Sequence, residues 1–331
     1  VSSAPETQLV SLSLDYLDPA AVSVEPSAGL VSPLIAHCLA VIAAAVPHPG
    51  DTRLVISGDF VSSVKDRLAP GPYRDSYSTD RNDGSVGGKT LRLADGTIDI
   101  VMPSVVFEAA DDEETNGFRA VLAIRTVTHE AQHVAMYQAE EAETDTYDEQ
   151  PWARQNFLHA ADQVIDEYRA ETAIEPNLRG ALGVWNPVDI LERLRSDLSQ
   201  IALVDYQAHL DVGRLSYDVG QQTHTAWKLL GYVAASMRHE DGAFDALAPE
   251  VETARTWQDM ASVHWPLFLD VLSTVPPGSE RIGRETLQPA VHALATLFQD
   301  WLRDLGFDWR DTATGCEFRI VRWDLLEQPQ G

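Results

Sequence analysis

The chain has 331 residues, 44% of them hydrophobic and 23% charged. That is enough to bury a core in one large domain or two ordinary ones, and it excludes a disordered or fibrous protein. With 24 Lys+Arg against 51 Asp+Glu the formal charge is −27, so the basic side chains that phosphate contacts need are scarce and an anionic lipid surface is repelling. Neither a nucleic acid nor a membrane is an expected partner.

Cys38 and Cys316 form no CxxC pair, so a disulfide framework or a cysteine zinc site is not expected. The opening VSSAPETQ has neither a basic nor an apolar signal region. The longest apolar stretch, residues 30–46, contains Ser32, Pro33 and His37 and is too short and interrupted to span a bilayer. A reduced, cytoplasmic setting is the expectation.

In chain order, apolar content predicts a helix over residues 27–46, a strand over Thr52–Ser57 and a short amphipathic helix over 59–68. Residues 70–88 read as a loop. Two strand-like runs, 89–93 and 97–102, flank Asp95-Gly96, a strong hairpin signal. A long helix is predicted over 117–141. Asp111 to Glu114 suit its N-terminus, and Thr115 or Asn116 its N-cap. Further helices are predicted over 152–175, 187–210, 223–238, 251–274 and 284–305, and the alternating segment 316–323 as a strand. The pattern is an α+β, predominantly α fold, with a small N-terminal sheet region followed by a helical body. Its parts are an α/β region with a hairpin (1–110), the two central helices (111–180) and a helical C-terminal region (181–331), together one continuous unit.

The informative segment is His129-Glu130-Ala131-Gln132-His133, an H-E-x-x-H motif. On a helix, residues four apart share a face, so both imidazoles can bind one metal ion. Glu130 borders that face and can take a proton from metal-activated water. A third ligand is needed. In the next helix Glu167 and Glu171 share a face with Ala160, Val164 and Ile174, so both carboxylates look inward, which is costly without a partner. The opposite register, Asp162, Asp166, Arg169 and Ala173, reads as solvated. This assigns Glu167 as the third ligand and Glu171 as an acceptor for the ring N–H of a ligating histidine. A plainer reading makes the two glutamates a carboxylate pair bridged to Arg169 or Arg179.

These two segments, His129-Glu-Ala-Gln-His133 and Glu167-Tyr-Arg-Ala-Glu171, resemble the gluzincin branch of zinc metallopeptidases. The resemblance spans residues 129–171 and implies a zincin-like body. It also implies Zn2+ held by His129, His133 and Glu167, and Glu130 as general base. Glu171 departs from the family in standing where Asp is usual. The family also sets an edge strand beside the active-site helix, a role that position gives to residues 97–102.

The implied activity is zinc-dependent hydrolysis of a peptide or protein substrate. The substrate is a basic one if the acidic run from Glu140 to Glu149 lies at the cleft, whereas the plainer use of that run is solubility. Two other readings stand beside it. Two histidines and a carboxylate also form the facial triad of Fe2+ oxygenases that use 2-oxoglutarate. A non-catalytic binding protein with a zincin shell is the other, against which the intact Glu130 weighs. An oxyanion donor could come from Tyr137, Tyr147, His159, Tyr168, Arg169, His209, Tyr217 or His224, and the sequence selects none. The oligomeric state is left open. The P-loop-like stretch from Asp83 to Thr90 lacks the required first glycine and runs into the hairpin.

Overall fold

The computed structural model describes residues 9–81, 84–85, 87–141, 147–179 and 185–325. The fold is α+β and predominantly α. The chain forms two compact units: Val1–Glu141 with Ala173–Leu182, and Ala142–Thr172 with Gly183–Gly331.

The first unit is built from β1 (Ser11–Asp15), α1 (Pro33–Ala45), β2 (Thr52–Ser57), α2 (Phe60–Arg67), β3 (Lys89–Arg92), β4 (Ile98–Pro103) and α3 (Glu113–Gln138). Its sheet has the order β1-β2-β4-β3. The first three are mutually parallel, and β3 returns antiparallel to β4. The predicted hairpin is present: Leu93 N–H donates to Thr97 O at 2.9 Å, and Gly96 takes the positive φ of +89° that this turn requires. Strand alternation sorts the sheet residues. Leu54, Ile56, Ile98, Ile100 and Met102 join the cluster that holds Ile35, Cys38 and Ile42 of α1 and Val127, Ala131 and Val134 of α3. Val55, Leu91 and Val101 join Phe60 and Val64 of α2.

Asp99 alternates onto the α2 side and is fully buried. A carboxylate there needs cations and donors to offset lost hydration. Arg53 supplies Nε and Nη2 at 2.9 and 2.8 Å, and Arg67 supplies Nε at 2.5 Å. Arg67 also reaches Asp15 of β1 at 2.7 Å, so one guanidinium ties the outer strand to the centre of the sheet.

Several boundaries differ from expectation for local reasons. The helix expected from residue 27 begins at Pro33, where Ser32 caps Ile35 N–H; residues 26–28 make a separate turn closed by Gly29 in the left-handed region. The N-cap of α3 is Asp112, whose carboxylate accepts from Thr115 N–H at 2.7 Å, and neither Thr115 nor Asn116 plays that part. That hydrogen bond holds the Asp112 carboxyl below its ordinary range. Residues 97–102 are no edge strand, because β4 lies between β2 and β3; the edges are β1 and β3. The expected loop 70–88 contains a helical turn, Pro72–Ser76. Its P-loop-like positions Asp83 and Val86 lie outside the described residues.

The second unit contains α4 (Trp152–Thr172), α5 (Pro187–Gln200), α6 (Val212–Met237), α7 (Trp265–Ser273), α8 (Arg284–Asp304), β5 (Phe307–Thr312) and β6 (Gly315–Ile320). Helix α4 packs against both α6 and α8. Trp227 of α6 stacks on Phe298 of α8 at 4.2 Å, and Phe268 of α7 joins them. The β5–β6 hairpin contributes a cap: Asp311 accepts from Ala153 and Arg154 N–H, each at 2.9 Å, at the start of α4. The helix expected over 251–274 is broken into Pro249–Thr253, Arg255–Met260 and α7. The α6 helix starts eleven residues earlier than expected, and β5 was not anticipated. Among the described residues no helix is long and apolar enough to cross a membrane.

Arg67→Ala should lower the unfolding free energy by about 3 kcal/mol, since it removes a partner of a buried carboxylate; urea denaturation measures this, and a loss under about 0.5 kcal/mol, the range of unremarkable surface changes, would show Asp99 content with Arg53 alone. Burial pushes the Cys38 thiol up to about 12, whereas Cys316 is exposed. A thiol reagent at pH 8 should therefore modify Cys316 in native protein and Cys38 more than about a hundredfold more slowly, a difference that vanishes in denaturant.

Candidate functional site

The middle of α3 is buried on two sides. Ala123, Val127, Ala131 and Val134 pack into the sheet core, and Thr126, His129, Glu130 and Gln132 are buried as well. Thr126, His129, Glu130 and His133 recur at intervals of three and four, so they form one polar stripe along the helix. The Nε2 atoms of His129 and His133 are 3.1 Å apart, with the rings edge to face at 4.8 Å.

The edge strand and the segment before it close over this stripe. Thr90 of β3 donates its hydroxyl to Glu130 Oε2 at 2.8 Å and lies 3.2 Å from Glu130 O. Just before it, Gly88 is buried with no room for a side chain. A Cβ there would lie 2.8 Å from Thr126 Cγ2, 3.0 Å from Glu130 Cγ and 3.0 Å from Met102 Sδ. The Glu130 carboxylate is thus fixed by one hydroxyl and enclosed by bare backbone.

Glu167 and Glu171 share the inward face of α4 with Ala160 and Val164, as the register implied, with Glu171 buried and Glu167 half-buried; the helix ends at Thr172, before Ile174. Glu167 accepts from Tyr232 Oη of α6 at 2.5 Å, and Lys228 Nζ lies 3.6 Å from its other oxygen. Among the described residues His129, His133 and Glu167 make one group that could hold a metal ion; each offers one ligand atom, and these atoms lie within 4.8 Å of one another. The donor set suits such an ion. Two imidazole nitrogens bonded to one ion at about 2.0–2.1 Å stand roughly 3–3.5 Å apart, and the histidine pair meets that spacing.

The opposite register of α4 is not solvated. Asp162 and Arg169 are fully buried. Arg284 of α8 holds Asp162 through both terminal nitrogens, and Arg169 donates to Pro276 O and Glu280 O at 3.2 and 2.9 Å. Asp166 sits between these groups, and burial, then the Asp162 charge, push its carboxyl well above the usual range.

Most residues considered as oxyanion donors have other work. Tyr147 accepts from Arg284, Tyr168 accepts from Arg238, and His209 accepts from Asp211 N–H. Tyr217 is exposed, and Tyr137 lies under the Arg92 guanidinium. The sequence reading missed Thr90, Gly88, Lys228 and Tyr232. A polar row at four-residue spacing on α6, His224, Lys228 and Tyr232, was the available signal for the last two. In the acidic run, residues 142–146 lie outside the described residues, and Glu141 is fully buried. Compared with protein-family models, with curated proteins and with solved structures, the chain matches none.

Gly88→Ala should cost about 1–3 kcal/mol through overpacking. Gly87→Ala, whose Cβ meets only Thr126 at 3.5 Å, should stay within about 0.5 kcal/mol. Equal stability of the two variants in urea denaturation would refute the close approach.

Proposed function

We propose that the chain is a metal-dependent peptidase that hydrolyses a peptide bond in a peptide or protein, with His129, His133 and Glu167 as zinc ligands and Glu130 as general base. The observation that carries the reading is the 3.1 Å pairing of the two histidine nitrogens beside a carboxylate that one hydroxyl holds in place. Zinc at this point would polarise the scissile carbonyl and lower the pKa of water. Glu130 spends Oε2 on the Thr90 hydroxyl; the other oxygen is the one to receive a proton from water and pass it to the leaving amine. Glu171, one turn after Glu167, is the acceptor for the second ring N–H of a ligating histidine. The outer edge of β3 next to Thr90 would pair with an extended substrate, so that its main chain runs past Glu130. Free thiols at Cys38 and Cys316 suit a cytoplasmic enzyme.

Protein purified without added metal should contain close to one zinc per chain by elemental analysis; iron, or no metal, would overturn the zinc assignment. Glu130→Gln should keep the metal and lose about 100-fold or more in kcat, the usual worth of a general base. His133→Ala should lose the metal and lower Tm, because an ion bound only by the folded chain adds to its stability. Unchanged turnover in Glu130→Gln would rule out the hydrolytic mechanism even with zinc bound.

A further inference from the structure

Three polar side chains of α6, His224, Lys228 and Tyr232, share one face at four-residue spacing, although the helix buries Ala226, Trp227, Leu229, Leu230 and Val233. Two of them meet Glu167: Tyr232 donates to it and Lys228 lies 3.6 Å away, while burial, then the Lys228 charge, lower the His224 pKa to about 4. His224 is therefore neutral under ordinary conditions.

Two of these groups have unused hydrogen-bonding capacity. Lys228 Nζ makes no hydrogen bond among the described residues, since 3.6 Å is beyond that range, and its side chain is 21% exposed. His224 Nε2 is shut off from solvent with no hydrogen-bond partner among the described residues, a state that costs free energy unless a ligand supplies one. Alongside them Trp185, 37% exposed, stacks on Tyr232 with ring centroids 6.3 Å apart.

We propose that Lys228 and His224 form a carboxylate-binding subsite, with Trp185 and Tyr232 as a flat apolar wall for the remainder of the ligand. One ammonium and one neutral imidazole N–H match a single negative charge with two acceptor oxygens. The carboxylate could belong to the C-terminus of a peptide or to a small 2-oxo dicarboxylic acid. The proposal rests on the peptidase reading only for the role of the ligand; the binding itself involves residues of one unit and needs no metal.

Isothermal titration of the full chain, with and without one equivalent of Zn2+, tests this with three probes: N-acetyl-Leu-Phe, its C-terminal amide, and 2-oxoglutarate. A carboxylate-bearing probe should bind about tenfold or more tightly than the amide, the scale of a charge-assisted pair. Lys228→Met and Lys228→Gln should abolish that preference, and Lys228→Arg should retain most of it. Preference for the acid peptide assigns the C-terminus as source, and binding of 2-oxoglutarate alone assigns the small acid; both support the subsite. Equal binding of all three probes by the wild-type protein, or an acid preference that survives in both Lys228→Met and Lys228→Gln, overturns it. Elemental analysis of the same samples keeps the two readings apart. Protein without metal would sink the peptidase and leave the comparison of acid with amide intact.

Discussion

Two imidazole nitrogens 3.1 Å apart on successive turns of a buried helix set the terms for their surroundings. Lone pairs aimed at one point need a proton or a cation between them. The helix that carries them must also bury its other side, which it does on the sheet through Val127, Ala131 and Val134. Because α3 is polar along one stripe and apolar along another, its rotation about its own axis is fixed. The β3–β4 hairpin then delivers a hydroxyl and a bare glycine to the polar stripe. Thr90 orients Glu130, and Gly88 allows the backbone to approach close enough for it to do so.

The second unit handles buried charge by a different rule. Two acids of α4 are met by groups from other helices: Asp162 by Arg284 of α8, and Glu167 by Tyr232 and Lys228 of α6. Arg169 spends its donors on backbone carbonyls after α7. Such groups stabilise little in net terms, since desolvation offsets attraction, but they penalise every arrangement in which a partner is missing. They fix the register of α4 more sharply than apolar contacts alone would.

What could be read from the sequence follows the range of the interactions. The hairpin at Asp95-Gly96, the strand Thr52–Ser57 and the extent of α8 depend on neighbours in the chain, and the expected boundaries hold to within about two residues. The shared face of His129 and His133 and the inward side of Glu167 are consequences of helical period, and they too were legible. The α3 cap was misplaced because Asp112, Thr115 and Asn116 all suit a cap, and only the backbone path decides among them. The polar side of α4 read as solvated because nothing in its own segment announces Arg284, more than a hundred positions on. Thr90 and Gly88 escaped for the same reason: a threonine and a glycine carry no chemical signature until the hairpin folds against α3.

The connectivity has a consequence for synthesis. The chain leaves its first unit after Glu141, returns for Ala173–Leu182 and leaves again, so neither unit is contiguous in sequence. As the chain emerges from the ribosome, α4 appears well before the helices that neutralise it. Arg284 follows Asp162 by 122 residues, which at 5–20 residues per second is a wait of roughly 6–24 s. During that interval α4 presents Phe157, Leu158, Val164 and Ile165 together with an unpaired acid. Full-length protein refolding from denaturant has Arg284 present from the start and does not meet that interval.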